Sequence, residues 1–140
     1  MTPINQSIVD KGDGDCFRAS TASLLDLSLE QVPHFGRYKE NWFHIYYGFM
    51  RLFGYEYSGI CSINSKRGMR REDSINGFFE TTVPSATFKN VTHSVITNIN
   101  GLIVHDPNPN KKYMNINIHD IEDKRHVYWY MFEKAESTKN

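Results

Sequence analysis

Apolar positions along this chain change from a helical to an alternating spacing near residue 54, and that change divides the chain into two halves. Residues 16–27, CFRASTASLLDL, follow a polar, glycine-rich stretch. Ala19, Ala22 and Ser23 keep one face small while Leu24, Leu25 and Leu27 offer burial, which predicts a helix able to approach a sheet closely. Ser28, with Glu30 and Gln31 behind it and Pro33 as a stop, predicts a short second helix or turn over residues 28–35. Between residues 39 and 53, Trp42, Ile45, Tyr46, Phe49, Leu52 and Phe53 recur at helical spacing ahead of Gly54 and predict the main helix covering the core. His44 and Tyr47 on that helix read as neighbours of the core rather than as site residues.

Beyond Gly54 the alternation has period two. Strands are predicted over residues 55–63, over 77–83 with Pro84 as terminator, and over 126–133, HVYWYMFE, whose two aromatic faces suit a central or covered strand. Trp129 and Tyr130 lie in it, one expected in the core and one free to border a site. A short strand is also predicted in the lead-in, where Ile4, Ser7, Ile8 and Val9 alternate around Gln6. The expected class is α+β, with N-terminal helices packed on an antiparallel sheet. A single domain spans residues 1–134, and residues 135–140 are expected to be disordered.

Composition narrows the partners. Sixteen basic and sixteen acidic residues cancel among the 140, so no global field draws the chain to nucleic acid or to a membrane surface. Lys66, Arg67, Arg70 and Arg71 cluster, but Gly68 interrupts them and Glu72 and Asp73 follow, which reads as a solvated loop. The apolar run at residues 42–53 contains His44 and Arg51 and is too short for a membrane span. The first residues lack the cationic and apolar pattern of an export signal, so a cytoplasmic location is expected, with Cys16 and Cys61 both reduced. The DKGDGD stretch fails as a calcium loop because Thr21 and Leu24 stand where a bidentate Glu is required, and zinc-type Cys and His spacings are missing. No cofactor or metal is expected, and His119 and His126 read as surface residues.

Chemistry concentrates in two stretches. In residues 10–27 the Gly/Asp loop ends at Cys16, in the first turn of the predicted helix, with Asp15 placed to cap it and Gly12 and Gly14 to turn the chain. The helix dipole and unpaired N–H groups at that position favour a thiolate, while Asp10, Asp13 and Asp15 oppose it with Arg18 as the near counter-charge. The second stretch, THSVITNINGLIVHDPNP at residues 92–109, reads as a hairpin around a two-residue Asn100-Gly101 turn. That register sets Ile99 against Leu102, Thr97 against Val104 and Val95 against Asp106. His93, Val95, Leu102, Val104 and Asp106 then share one face, with Ile96 and His105 on the other, and Asp106 can orient His93 as a base for a thiol.

GDCFRASTASLL, then LEQVPHF, HSVI and IVHDPNP, in that order, resemble the papain-like cysteine peptidase superfamily. The chain is most similar to small uncharacterised bacteriophage and bacterial members and more distantly to peptidases that process bacteriocin precursors. The resemblance implies a papain-like fold and a thiol hydrolase in which Cys16 attacks, His93 is the base, Asp106 orients it and Gln6 assists the oxyanion. Gln6 stands ten residues before Cys16, a wider spacing than in papain, so the intervening loop has to fold back. Implied partners are a peptide or protein substrate, including a host protein if the chain is viral. The competing reading is a catalytically idle papain-like domain that binds a partner protein.

Overall fold

The computed structural model of the chain describes residues 1–135, in which two α-helices lie on a five-stranded antiparallel sheet. Helix α1 spans Cys16–Leu25 and α2 spans Trp42–Leu52. The strands are β1 (Tyr55–Ser62), β2 (Phe78–Pro84), β3 (Thr92–Asn98), β4 (Ile103–His105) and β5 (Tyr128–Lys134), in the order β1-β5-β2-β3-β4. The aromatic β5 is indeed interior, paired with β1 on one side and β2 on the other. The predicted tail lies outside the described residues except for Ala135, whose N–H bonds the carbonyl of Gly54 at 2.7 Å.

Each helix forms for the reason its sequence suggests. Ala19, Ala22, Ser20 and Ser23 of α1 are all fully buried, and this small face lets the helix settle close over β3 and β2. Ser28 opens a 3₁₀ turn, Leu29–Gln31, and the Gln31 side chain accepts its N–H at 2.9 Å. The main helix begins at Trp42, three residues later than expected, because Phe35–Asn41 is a 3₁₀ segment in which Lys39 takes φ 52°. Its buried residues are Tyr46 and Met50, whereas Leu52 and Phe53, counted above toward the core, are 80% and 42% exposed at the end of the helix. Phe17 gathers the helical layer, meeting Phe35, Trp42, Tyr46 and Tyr130 edge to face at centroid distances of 4.7 to 5.7 Å. Burying rings of this size contributes roughly 1.5–3 kcal/mol each, which lets a short chain sustain a core. A second apolar cluster, including Phe79, Val95, Ile103, Ile118 and Trp129, fills the opposite side of the sheet beneath the connection from β4 to β5.

Two further expectations fail. Residues 1–15 form no strand but an irregular strap laid across the fold, held by Thr2 N–H to Ser23 O, Ile4 N–H to Ser23 Oγ and Gln6 N–H to Pro107 O at 2.9 to 3.0 Å. The hairpin between β3 and β4 has a three-residue loop rather than the two-residue turn. Asn98 pairs with Leu102, and Gly101 alone takes the left-handed conformation (φ 81°). Thr97 therefore faces Ile103, one residue short of the expected partner, and Val104 joins the helical layer instead of sharing a side with Val95. A bulge at Val104 then absorbs one extra residue, and Ile96 faces His105 as expected. The two irregularities cancel, so the register is correct where His93 and Asp106 stand.

Candidate functional site

The two strands deliver His93 and Asp106 to one place. His93 Nε2 lies 2.7 Å from Asp106 Oδ1, with the side chains 10% and 1% exposed. Asp106 is held from behind: its Oδ1 also accepts the N–H of Asn108 at 3.0 Å and its Oδ2 the N–H of Tyr113 at 3.1 Å. The residues after the Asp-Pro step thus curl around the carboxylate, and the Tyr113 ring stacks on the His93 ring with an interplanar angle of 22°. Burial alone would raise the Asp106 carboxyl, but the His93 ring and the two amides outweigh it and hold the group below its ordinary value. Burial likewise works against an imidazolium at His93. The Asp106 carboxylate and the Cys16 side chain overcome it, and the His93 pKa is pushed up to about 9.

Cys16 reaches this pair from the other side. It opens α1, is half-buried, carries a free thiol, and lines two cavities together with His93. With Nε2 engaged by Asp106, Nδ1 is the ring nitrogen left for the thiol. Asp15 does not cap α1 as expected. Its buried carboxylate turns back to the strap and accepts Ser7 N–H, Ser7 Oγ–H and Ile8 N–H at 2.8 to 2.9 Å. The Gly/Asp loop is thereby folded on itself, with Asp15 N–H on Ile8 O at 3.3 Å and Gly14 N–H on Asp10 O at 3.0 Å. Gly14 is required there, since a Cβ would stand 2.8 Å from Asp10 O, whereas Gly12 borders open space. Because Asp15 faces the strap, the first-turn N–H groups of α1 keep their outward direction beside Cys16.

This fold-back brings Gln6 into the smaller cavity, of about 140 Å³, with Cys16 and His93. Its Nε2 donates to Ile8 O at 2.8 Å, and its buried Oε1 has no hydrogen-bond partner among the described residues. Of the acidic neighbours that opposed a thiolate, Asp13 is drawn away by Arg37, in a two-bond pair of 2.9 and 2.6 Å that lowers its pKa, and by His34. The larger cavity, about 260 Å³, lies on the other side of Cys16 and is walled by Phe17, Phe35, Trp42, Tyr128 and Tyr130. Tyr130 thus borders this cavity while also belonging to the core, and Trp129, 1% exposed, belongs to the core alone.

Other candidates fall away from the site. Arg67 is paired with Asp73 and Arg70 with Glu72, so the basic stretch is partly neutralised by its own acids. His44 is exposed and Tyr47 bonds Glu56 at 2.7 Å. Among the described residues no group of three or more His, Cys, Asp and Glu converges as a metal site would require, and no helix is long and apolar enough to cross a membrane. Sequence reasoning missed Tyr113, Asn108 and Phe17. The Asp-Pro-Asn-Pro run signalled a turn, but nothing local told that its amides would close on Asp106. Comparison of the chain with protein-family models, curated proteins and solved structures finds no match.

Proposed function

We propose that the protein is a papain-like thiol hydrolase acting on an amide, isopeptide or thioester carbonyl through an acyl-enzyme. The observation that carries this reading is the 2.7 Å His93–Asp106 pair with Cys16 at a helix start, where Cys16 and His93 line the same two cavities and Asp106 stands behind the ring. Cys16 Sγ, as thiolate, bonds to the carbonyl carbon, and the electron pair moves to the oxygen, which the Cys16 N–H and the first turn of α1 stabilise. Gln6 Nε2, held by Ile8 O in the resting protein, has its second hydrogen for the same oxyanion. Collapse breaks the bond to the leaving group, which takes its proton from the His93 imidazolium. Water then attacks the acyl-enzyme, giving a proton to His93 and releasing the carboxylic acid with the thiolate restored.

The raised pKa of His93 suits the first half of this cycle, because the ring is protonated and ready as an acid near neutral pH. Asp106 keeps the ring in one orientation and balances its charge. The test is trapping. Panels of peptide thioesters, peptide amides and isopeptides are mixed with the protein, and acyl adducts are sought by denaturing mass spectrometry. The expected result is an adduct on Cys16 that His93→Ala abolishes. A panel that acylates neither Cys16 nor any other residue, while the protein captures an intact partner independently of Cys16, would establish the idle binding domain instead.

A further inference from the structure

Glu80 is a buried acid that none of these steps uses. It stands in the middle of β2 and is 1% exposed. Its Oε1 accepts the Thr21 and Tyr46 hydroxyls, each at 3.0 Å, and its Oε2 accepts the Ser94 hydroxyl at 3.1 Å. Those donors come from three different elements. Thr21 lies five residues after Cys16 on α1, Tyr46 is on α2, and Ser94 is the residue next to His93 on β3.

We propose that Glu80 is a positioning residue, bolting the helix that carries Cys16 to the strand that carries His93 and so setting the approach of thiol to ring. The role rests on the Cys16–His93 reading above. A carboxyl group fits because one oxygen accepts the Thr21 and Tyr46 hydroxyls while the other meets the Ser94 hydroxyl. Removing it leaves those hydroxyls facing one another in an apolar layer, and each then gains by moving away. A displacement of α1 against β3 by a fraction of an ångström acts directly on the Cys16–His93 contact.

The clamp also has a second state. Burial pushes Glu80 up to about 8, the three hydroxyls opposing the shift without cancelling it. Thr21 Oγ1 lies 3.0 Å from Phe17 O as well. When Glu80 takes a proton, the Thr21 hydrogen turns to that carbonyl and its oxygen accepts from the acid, so no polar atom is orphaned. The titratable groups facing Glu80 are the Tyr46 phenol of α2 and the Tyr130 phenol of β5, both held above their ordinary values, so neither ionises in this range. From α1 and β3 the facing groups are the Thr21 and Ser94 hydroxyls.

The test compares Glu80→Gln with Glu80→Ala, reading the pH profile of Cys16 alkylation by iodoacetamide and the His93 ring titration by NMR. Glu80→Ala that is folded by circular dichroism is expected to lose about tenfold in Cys16 rate at pH 7 and to shift the His93 titration. Glu80→Gln, which keeps two acceptances and donates to Ser94, is expected to stay within about threefold of wild type and to lose any inflection near pH 8. A folded Glu80→Ala with an unchanged profile and an unchanged His93 titration overturns the proposal. If Glu80→Ala does not fold, Thr21→Val and Ser94→Ala decide: a lowered Cys16 rate in both upholds the clamp, and wild-type rates in both overturn it. If wild-type Cys16 has no His93-dependent reactivity, the hydrolase reading fails, and the His93 titration alone decides the clamp by whether Glu80→Ala shifts it.

Discussion

The two sides of the candidate site are built on unlike supports. His93 stands on a strand paired along its whole length with β2, and Asp106 is caught by two backbone amides and the His93 ring. Cys16 stands at the end of a strap with no ladder of its own, whose approach to the helix is set by one carboxylate, Asp15. The base side is thus over-determined by a continuous ladder of backbone bonds, while the nucleophile side leans on scattered backbone bonds and on the three that converge on Asp15. Single substitutions should therefore damage chemistry on the base side and architecture on the nucleophile side.

The largest expected effect tests the first half of that contrast. Asp106→Asn removes the charge that overcomes burial at His93, so the His93 pKa falls from about 9 and hydrolysis of whichever substrate acylates Cys16 drops by about 10³-fold, with the fold intact by circular dichroism. Asp15→Ala should do the reverse. Three donors of the strap lose the buried carboxylate that gathers them, and stability falls by about 2 kcal/mol, measured by urea unfolding.

Stability against pH sharpens the contrast further. The folded pKa of His93 lies above its ordinary 6.5, so its contribution is complete below about pH 6.5 and is lost as pH rises through about 9. Glu80, raised from 4.5 to about 8, binds its proton more tightly in the folded chain, so stability also declines between those values. Asp106, held below 3.8, contributes above that value and loses its contribution as pH falls through its lowered pKa. The free energy of unfolding, measured by urea titration, should therefore be highest between about pH 4 and 5 and decline toward pH 9, and Glu80→Gln should flatten the decline.

The smallest effect separates the two candidate turns. Gly101→Ala should cost about 1–2 kcal/mol, since φ is 81° and the new Cβ would stand 3.1 Å from His119 and Ile118. Asn100→Ala should change stability by less than about 0.5 kcal/mol, because only Gly101 takes the left-handed conformation. A two-residue turn would make both substitutions costly.

How far the site was legible follows from the range of its interactions. Cys16 at a helix start and the His93–Asp106 pairing were readable because short-range patterns, a loop before a helix and alternation around Asn-Gly, carry them. The hairpin reading placed His93 and Asp106 correctly although the turn was one residue too short, because the Val104 bulge compensated, and a bulge has no compositional mark here. Asp15 was misread as a cap because its partners, Ser7 and Ile8, become neighbours only after the loop folds back. Glu80 was not singled out in the sequence, because its donors come from three segments that only the tertiary fold unites.

The central claim, that Cys16 and His93 act as one thiolate–imidazolium pair, is tested most directly by the rate of Cys16 alkylation with dilute iodoacetamide between pH 5 and 9. N-acetylcysteine in the same tube is the reference, since Cys61 is buried and a poor comparator. The account predicts that Cys16 outpaces the reference at pH 6 by about tenfold or more and that His93→Ala removes the advantage. A Cys16 that tracks the reference thiol at every pH, or that reacts equally fast without His93, would contradict it.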